Sequence, residues 1–265
     1  MQEINLKVLK EREFSLVLSG GGALGIAHLG VIRDLEKLNL IPAEIVGTSM
    51  GGIIGACVAI GMSESEIFSL IERFAKVGRW IKFSLEGNSI IKSSKISKIF
   101  DSIFGDTKIN QTTIPLKLIS TNLLTGQKRA FGKNDNISLA KALLCTMAIP
   151  GIFEEQIIGD EVLGDGFLCE NLGVREASKE TILAVDVMGY DSFSHTLPNN
   201  FFKSANVIEM FERSMRLLIY NQTQAILNST DKGIFLVSPP TKDYKTYQFN
   251  KAKEIRRLGS LRLER

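Results

Sequence analysis

Two short apolar runs, each ending in a glycine-bearing turn that opens a helical stripe, lie within the first sixty residues. They constrain the fold more than anything else in the chain. The first run, 14–19 (FSLVLS), enters Gly20, Gly21 and Gly22, after which Ile26, Leu29, Gly30, Ile32 and Leu35 recur at helical spacing over 23–38. An apolar run bounded by glycines reads as a buried strand entering a tight turn. Pro42 closes the connection, 44–48 (EIVGT) reads as the next strand, and 50–60 as a helix of small and apolar residues. Strand, helix, strand, helix in this order implies a parallel sheet covered by helices.

The rest of the chain continues the pattern. Ser63 and Glu66 have the spacing of a capping box, and a helix follows through Ile67, Leu70, Ile71 and Phe74. Ile96, Ile99, Phe100, Ile103 and Phe104 place an apolar stripe on a further helix. Strands are expected at 115–121, 182–187 and 234–237, a hairpin at 155–163 turning at Gly159-Asp160, and a long helix at 206–228. With 265 residues, 44% hydrophobic and 23% charged, the chain has ample material for one core, and a disordered or fibrous protein is excluded. The organisation expected is an N-terminal extension over 1–13, one domain over 14–240 and a basic segment over 241–265. A net charge of +3 gives no reason to expect nucleic acid as a partner.

Cys57, Cys145 and Cys169 form no C-x-x-C pair, so neither a disulfide framework nor a cysteine zinc site is expected. The charged N-terminus has no apolar core of signal-peptide length, and no apolar run approaches the ~20 residues of a spanning helix. A cytoplasmic protein is the expectation. At the other end, Lys251, Lys253, Arg256, Arg257, Arg262 and Arg265 face only Glu254 and Glu264, with Ile255, Leu258, Leu261 and Leu263 interleaved. A basic amphipathic helix of this kind either sits at the surface of an anionic membrane or packs its leucines on the domain. Packing is favoured, because Gly259 interrupts any long helix.

Gly47-Thr48-Ser49-Met50-Gly51 is a G-x-S-x-G pattern between a strand and a helix, the context in which a sharp turn lifts a serine hydroxyl out of a sheet. Gly20-Gly21-Gly22-Ala23-Leu24-Gly25 admits two readings. One is a dinucleotide turn, with Gly20, Gly22 and Gly25 at the phosphate and an acidic residue closing the second strand. Glu44 has the distance for that role but starts its strand. The other is an oxyanion hole serving Ser49, since adjacent parallel strands bring both turns to one sheet edge. The second is favoured. A serine needs a base, and Asp165, followed by Gly166, is a better candidate than His28 on the first helix or His195 in a polar segment. A simple turn aspartate is the rival reading. The segment 84–106 either gates the site or packs as a helix on the sheet.

Four blocks, GGGALG, GTSMG, CTMAIPGIF and DGF, follow in order, with PLKLISTNLLTGQ before the third. In these the chain resembles the patatin-like phospholipase family, specifically its small bacterial single-domain members, over about 14–237. The resemblance implies a three-layer α/β/α sandwich with a mostly parallel central sheet. It implies a dyad without histidine, Ser49 as nucleophile and Asp165 as base. The N–H groups of Gly21, Gly22 and Ala23 would form the oxyanion hole, with Gly20, Gly25, Gly47, Gly51 and Gly166 shaping the turns. The implied activity is hydrolysis of fatty-acyl esters of phospholipids, lysophospholipids or related lipids, with no metal or organic cofactor and with peripheral membrane contact at most. Three positions depart from the family: Leu24 replaces arginine, Thr146 replaces serine, and Phe167 replaces a glycine or alanine. Alternatives are an acyl transferase, a non-catalytic acyl- or nucleotide-binding regulator, and a triad of Ser49, Asp165 and His195. The short stretch between glycine turn and serine speaks against the triad fold.

Overall fold

The structure, a computed structural model, describes residues 6–74, 91–193 and 204–261. Its centre is an eight-stranded sheet of β1 (Phe14–Leu18), β2 (Glu44–Thr48), β3 (Leu116–Asn122), β4 (Lys128–Phe131), β5 (Gln156–Ile158), β6 (Glu161–Asp165), β7 (Thr181–Val185) and β8 (Gly233–Val237). β3, β2, β1, β7 and β8 run parallel in that order. The two runs with glycine turns are therefore neighbours, and both turns leave the same edge. β4 and β6 pair antiparallel to β3, and β5 pairs antiparallel to β6 as the expected hairpin.

Side chains of a strand alternate between faces, and β1 shows the consequence. Leu16 and Leu18 enter one core, while Val17 enters a second one on the opposite face with Val46, Ile119 and Ile182. The first core is closed by α2 (His28–Lys37) and α3 (Met50–Ala59), with α4 (Glu64–Phe74), α5 (Ser93–Phe104) and α6 (Leu139–Thr146) beyond them. The second is covered by α7 (Ser204–Leu227) through Ile226. Three layers, helix, sheet and helix, result.

The registers on β3 position the site. Ile119 stands opposite both Ala130 of β4 and Thr48 of β2, and Ser120 opposite both Arg129 of β4 and Asp165 of β6. A strand has two edges, so β4 takes one, and β2 and β6 share the other. β2 stops where β6 begins, which sets the last residue of β6 against the end of β2.

Several boundaries differ from the sequence expectation. The helix expected over 23–38 opens as a 3-10 turn, Gly22–Ala27, and becomes α-helical only at His28. The short strand β4 and the helices α1 (Leu6–Glu11) and α6 carry too few periodic residues to stand out in the sequence. Leu9 of α1 is buried in the main core, so the described part of the expected extension, 6–13, is packed on the domain. At the other end α8 (Ala252–Arg256) is short, and Ile255 and Leu261 are buried. Arg262, Leu263, Glu264 and Arg265 lie outside the described residues. Among the described residues no helix is long and apolar enough to cross a membrane. The three cysteines are unpaired, and burial pushes the thiols of Cys57 and Cys145 up to about 12.

Candidate active site

Ser49 occupies the single-residue corner between β2 and α3, with φ 52° and ψ −123°. A positive φ is rare for a residue with a Cβ and costs roughly 1–3 kcal/mol. The corner is held from two sides. The Ser49 N–H donates to Thr146 Oγ1 at 3.0 Å, and that hydroxyl donates in turn to the Ile119 carbonyl. Gly51 lets the first turn of α3 lie against β1, since a Cβ there would meet the Leu18 carbonyl at 2.4 Å. Gly47 meets Gly52 in the same way, and Gly25 meets Met50. A serine at a helix N-cap ordinarily bonds to the backbone of the first turn. Ser49 makes no such bond, which leaves its hydroxyl uncommitted to the helix.

Asp165, at the end of β6, is fully buried beside Ser49. Its Oδ1 accepts from the Phe167 N–H at 3.0 Å. Burial pushes its pKa up to about 7, against the opposing pull of the Ser49 hydroxyl and the Phe167 amide. Among the described residues no fully aligned hydrogen bond reaches Oδ2. The Ser49 hydroxyl lies near enough to favour the carboxylate. Gly166 allows the chain to leave β6 tightly, because a Cβ there would meet the Ile119 carbonyl at 2.3 Å.

The glycine turn lies next to this pair. A Cβ on Gly20 would stand 3.2 Å from Ser49 Cβ, and Gly22 and Ser49 line one cavity. Among the described residues nothing accepts from the amides of Gly21 and Gly22. Ala23 is different. Its N–H, expected to complete the donor set, donates to the Thr246 carbonyl at 2.7 Å and is already satisfied. Gly22 has φ +54°, and the same carbonyl would lie 2.4 Å from a Cβ there. Asn171 supports the turn, with its carbonyl accepting from the Gly20 N–H at 3.3 Å and its amide donating to the Gly20 carbonyl at 3.4 Å.

The three departures are accommodated. Leu24 is fully buried in the core, away from solvent. Thr146 holds the serine corner, and Phe167 supplies the amide that Asp165 accepts. The sequence draws attention to both positions as departures without revealing these contacts. Nothing local marks Asn171, Thr246 or Phe249, because the glycine turn and Ser49, which they meet at the site, lie more than a hundred residues away in the chain.

His28 is buried, and its Nε2 stands 2.9 Å from the Ser19 carbonyl, an acceptor, so Nε2 carries the proton. Burial lowers its pKa to about 4 and keeps the ring neutral. It braces the strand end ahead of the glycine turn. His195 lies outside the described residues, as do 84–90 of the expected gate; α5, from the same segment, packs Ile96 and Phe100 into the main core. Glu44 does not supply the acidic residue that the dinucleotide reading needs at the end of the second strand. It sits at the opposite end of β2 from the turn, bonded to Ser15 Oγ at 2.6 Å and to the Ser178 amide. Burial works to raise its pKa, but these donors and Lys117 hold it below the usual range. A further carboxyl, Asp186, lies near the turn, where burial raises it to about 6 against the Met188 amide and the Ser19 hydroxyl.

From Ser49 a cavity opens between α3, α4 and α5. Its walls include Met50, Ile53, Cys57, Ile71, Phe100 and Phe153, and Phe249 closes it from the C-terminal part of the chain. The volume is about 890 Å³, counting the opening to solvent. The lining is almost wholly apolar. Among the described residues no cluster of three or more His, Cys, Asp or Glu side chains is placed to hold a metal ion.

The family model described as patatin-like phospholipase matches residues 16–178. Lysophospholipase NTE1 of Debaryomyces hansenii is 29% identical over 96% of this chain and 18% of its own length. Lysophospholipase NTE1 of Saccharomyces cerevisiae is 27% identical over 96% of this chain and 16% of its own. The chain spans less than a fifth of the length of these two relatives. VipD from Legionella pneumophila aligns over 92% of this chain and 66% of its own, with a TM-score of 0.46 and 14% identity.

Proposed function

The chain belongs to the patatin-like phospholipase family, and from that premise we propose that it hydrolyses fatty-acyl esters of phospholipids, lysophospholipids or related lipids through a Ser49–Asp165 dyad. One observation carries this reading. A serine on a strained corner, its hydroxyl free of the helix, adjoins a buried carboxyl of raised pKa at the mouth of an apolar cavity.

The cavity takes the acyl chain, where burial of each methylene contributes about 0.8 kcal/mol. The ester carbonyl then lies between Ser49 and the glycine turn. As Ser49 Oγ bonds to the carbonyl carbon, its proton passes to Asp165, and the carbonyl π electrons move onto oxygen. The amides of Gly21 and Gly22 stabilise that oxyanion. Collapse of the intermediate breaks the bond to the leaving alkoxide, which takes the proton from Asp165 and departs as an alcohol. A water then repeats the sequence on the acyl-enzyme and releases the fatty acid. Division into two steps is the benefit of a covalent intermediate.

A fluorophosphonate probe and a panel of acyl esters test this. Wild type should be labelled at Ser49 and should hydrolyse the esters, while Ser49→Ala should be folded, unlabelled and near background. Equal turnover by wild type and Ser49→Ala would overturn the reading.

A further inference from the structure

The family match ends at residue 178, yet the C-terminal part of the chain returns to the site. The Thr246 carbonyl accepts from Ala23 N–H inside the glycine turn, and Phe249 shares the cavity wall with Gly22 and Ser49. What holds this strap is a carboxylate on α7. Glu212 Oε1 accepts from the Thr246 N–H at 3.1 Å, from the Thr246 hydroxyl at 3.2 Å and from Arg216 Nη2 at 2.8 Å. Arg216 is itself buried and donates to the carbonyls of Ser192 and Tyr244. Lys245 Nζ approaches the other oxygen, Oε2, at 3.9 Å.

Resting on the serine-hydrolase reading above, we propose that Glu212 is a positioning residue for that reaction. It holds the strap so that the Thr246 carbonyl clamps Ala23 N–H and fixes the turn presenting the Gly21 and Gly22 amides. The physical need is plain. Donors aimed at a developing oxyanion help only if they are in place before the charge forms. A turn of three consecutive glycines has little stiffness of its own. Gly22 has no Cβ to hold it, and the Thr246 carbonyl fills the space a Cβ would take. Glu212 is not part of the cavity wall, so it acts through the strap and not on the substrate.

The test compares Glu212→Ala with Glu212→Gln. Glutamine keeps an oxygen to accept from both Thr246 donors but loses the charge that pairs with Arg216, whereas alanine loses both. Both variants should melt below wild type. Only Glu212→Ala should lose kcat, by about tenfold or more, short of the ~10²–10³ that removing an oxyanion donor costs. Its KM should change by less than kcat, since of the cavity wall only Phe249 belongs to the strap. Amide exchange at residues 22–24 should quicken in Glu212→Ala and not in Glu212→Gln. Thr246→Val, a milder change that removes only the hydroxyl donor, should lose kcat in the same direction by less. Wild-type kcat in folded Glu212→Ala would overturn the proposal. So would equal loss of kcat in both Glu212 variants, or unchanged exchange at 22–24. If wild type itself neither turns over esters nor takes the probe at Ser49, the hydrolase reading falls and the proposal with it, while the exchange data still report the clamp.

Discussion

A carboxylate that takes a proton from an alcohol near neutral pH must be a weaker acid than free aspartate, whose pKa is ~3.9. Asp165 meets this by burial, which lifts it to about 7. In the proposed mechanism the base must be ionised, so kcat/KM should rise with pH through about 7 and level off above it. A pH–rate profile checks this, and a rise centred near 4 would exclude Asp165. The stability consequence has the opposite sign. The folded state holds its proton more tightly than the unfolded chain, so stability is full below about 4, declines as pH rises to about 7 and is flat beyond. Asp165→Asn should therefore be inactive and, by thermal melting, gain on wild type at pH 8 but not at pH 4. Thr146 offers a second test at this scale. Thr146→Val leaves the buried Ser49 N–H without an acceptor, a loss of about 1–3 kcal/mol. Thr146→Ser should keep the bond, so denaturant melts and kcat should separate the two variants.

At the scale of elements, α3 does two things. Its N-terminal residue follows Ser49, and its apolar face floors the cavity. From Met50 to Cys57 the axis advances about 10 Å, so Cys57 marks the end of the floor away from Ser49. Cys57→Phe should leave hydrolysis of short acyl esters near wild type and cut kcat/KM for long ones by about four- to fifteenfold. The estimate is one to two methylenes of burial lost, at roughly 0.8 kcal/mol each. A series of esters of rising chain length measures it, and equal loss at all lengths would assign the change to folding.

At the scale of the molecule, the two ends of the described chain are joined through a contact between glycines. A Cβ on Gly259 would lie 1.8 Å from the Ala27 carbonyl, and one on Gly30 would lie 1.9 Å from the Gly259 carbonyl. The Leu261 N–H donates to Asp34 at 3.0 Å beside them. This seats the segment after the strap on α2 and its 3-10 approach. Gly259→Ala forces backbone apart, with a cost of roughly 1–3 kcal/mol. For a protein of this size that is a melting-temperature drop of roughly 2–12 °C. Gly132→Ala, where a Cβ meets only the Lys117 side chain at 3.4 Å and a carbonyl at 3.6 Å, should cost much less.

By itself the sequence determined what local periodicity and short motifs carry. The strands β1 and β2, the corner at Ser49, the hairpin of β5 and β6 and the long helix α7 are all legible, because each is set by residues close to one another in the chain. So was the pairing of the two turns, which follows from adjacent parallel strands. Only the tertiary structure decided where Asp165 stands, since that depends on β6 taking over the edge of β3 where β2 stops. It alone decided that Glu44, which the sequence already sets at the start of its strand, is committed to Ser15 and Ser178, and that Ala23 is already bonded. The raised pKa of Asp165 belongs there too, because desolvation is a property of everything packed around a group and not of its neighbours in sequence. The same holds for Thr246, Phe249 and Glu212: a backbone carbonyl or a partly buried carboxylate acquires its partners only when distant parts of the chain are folded against each other.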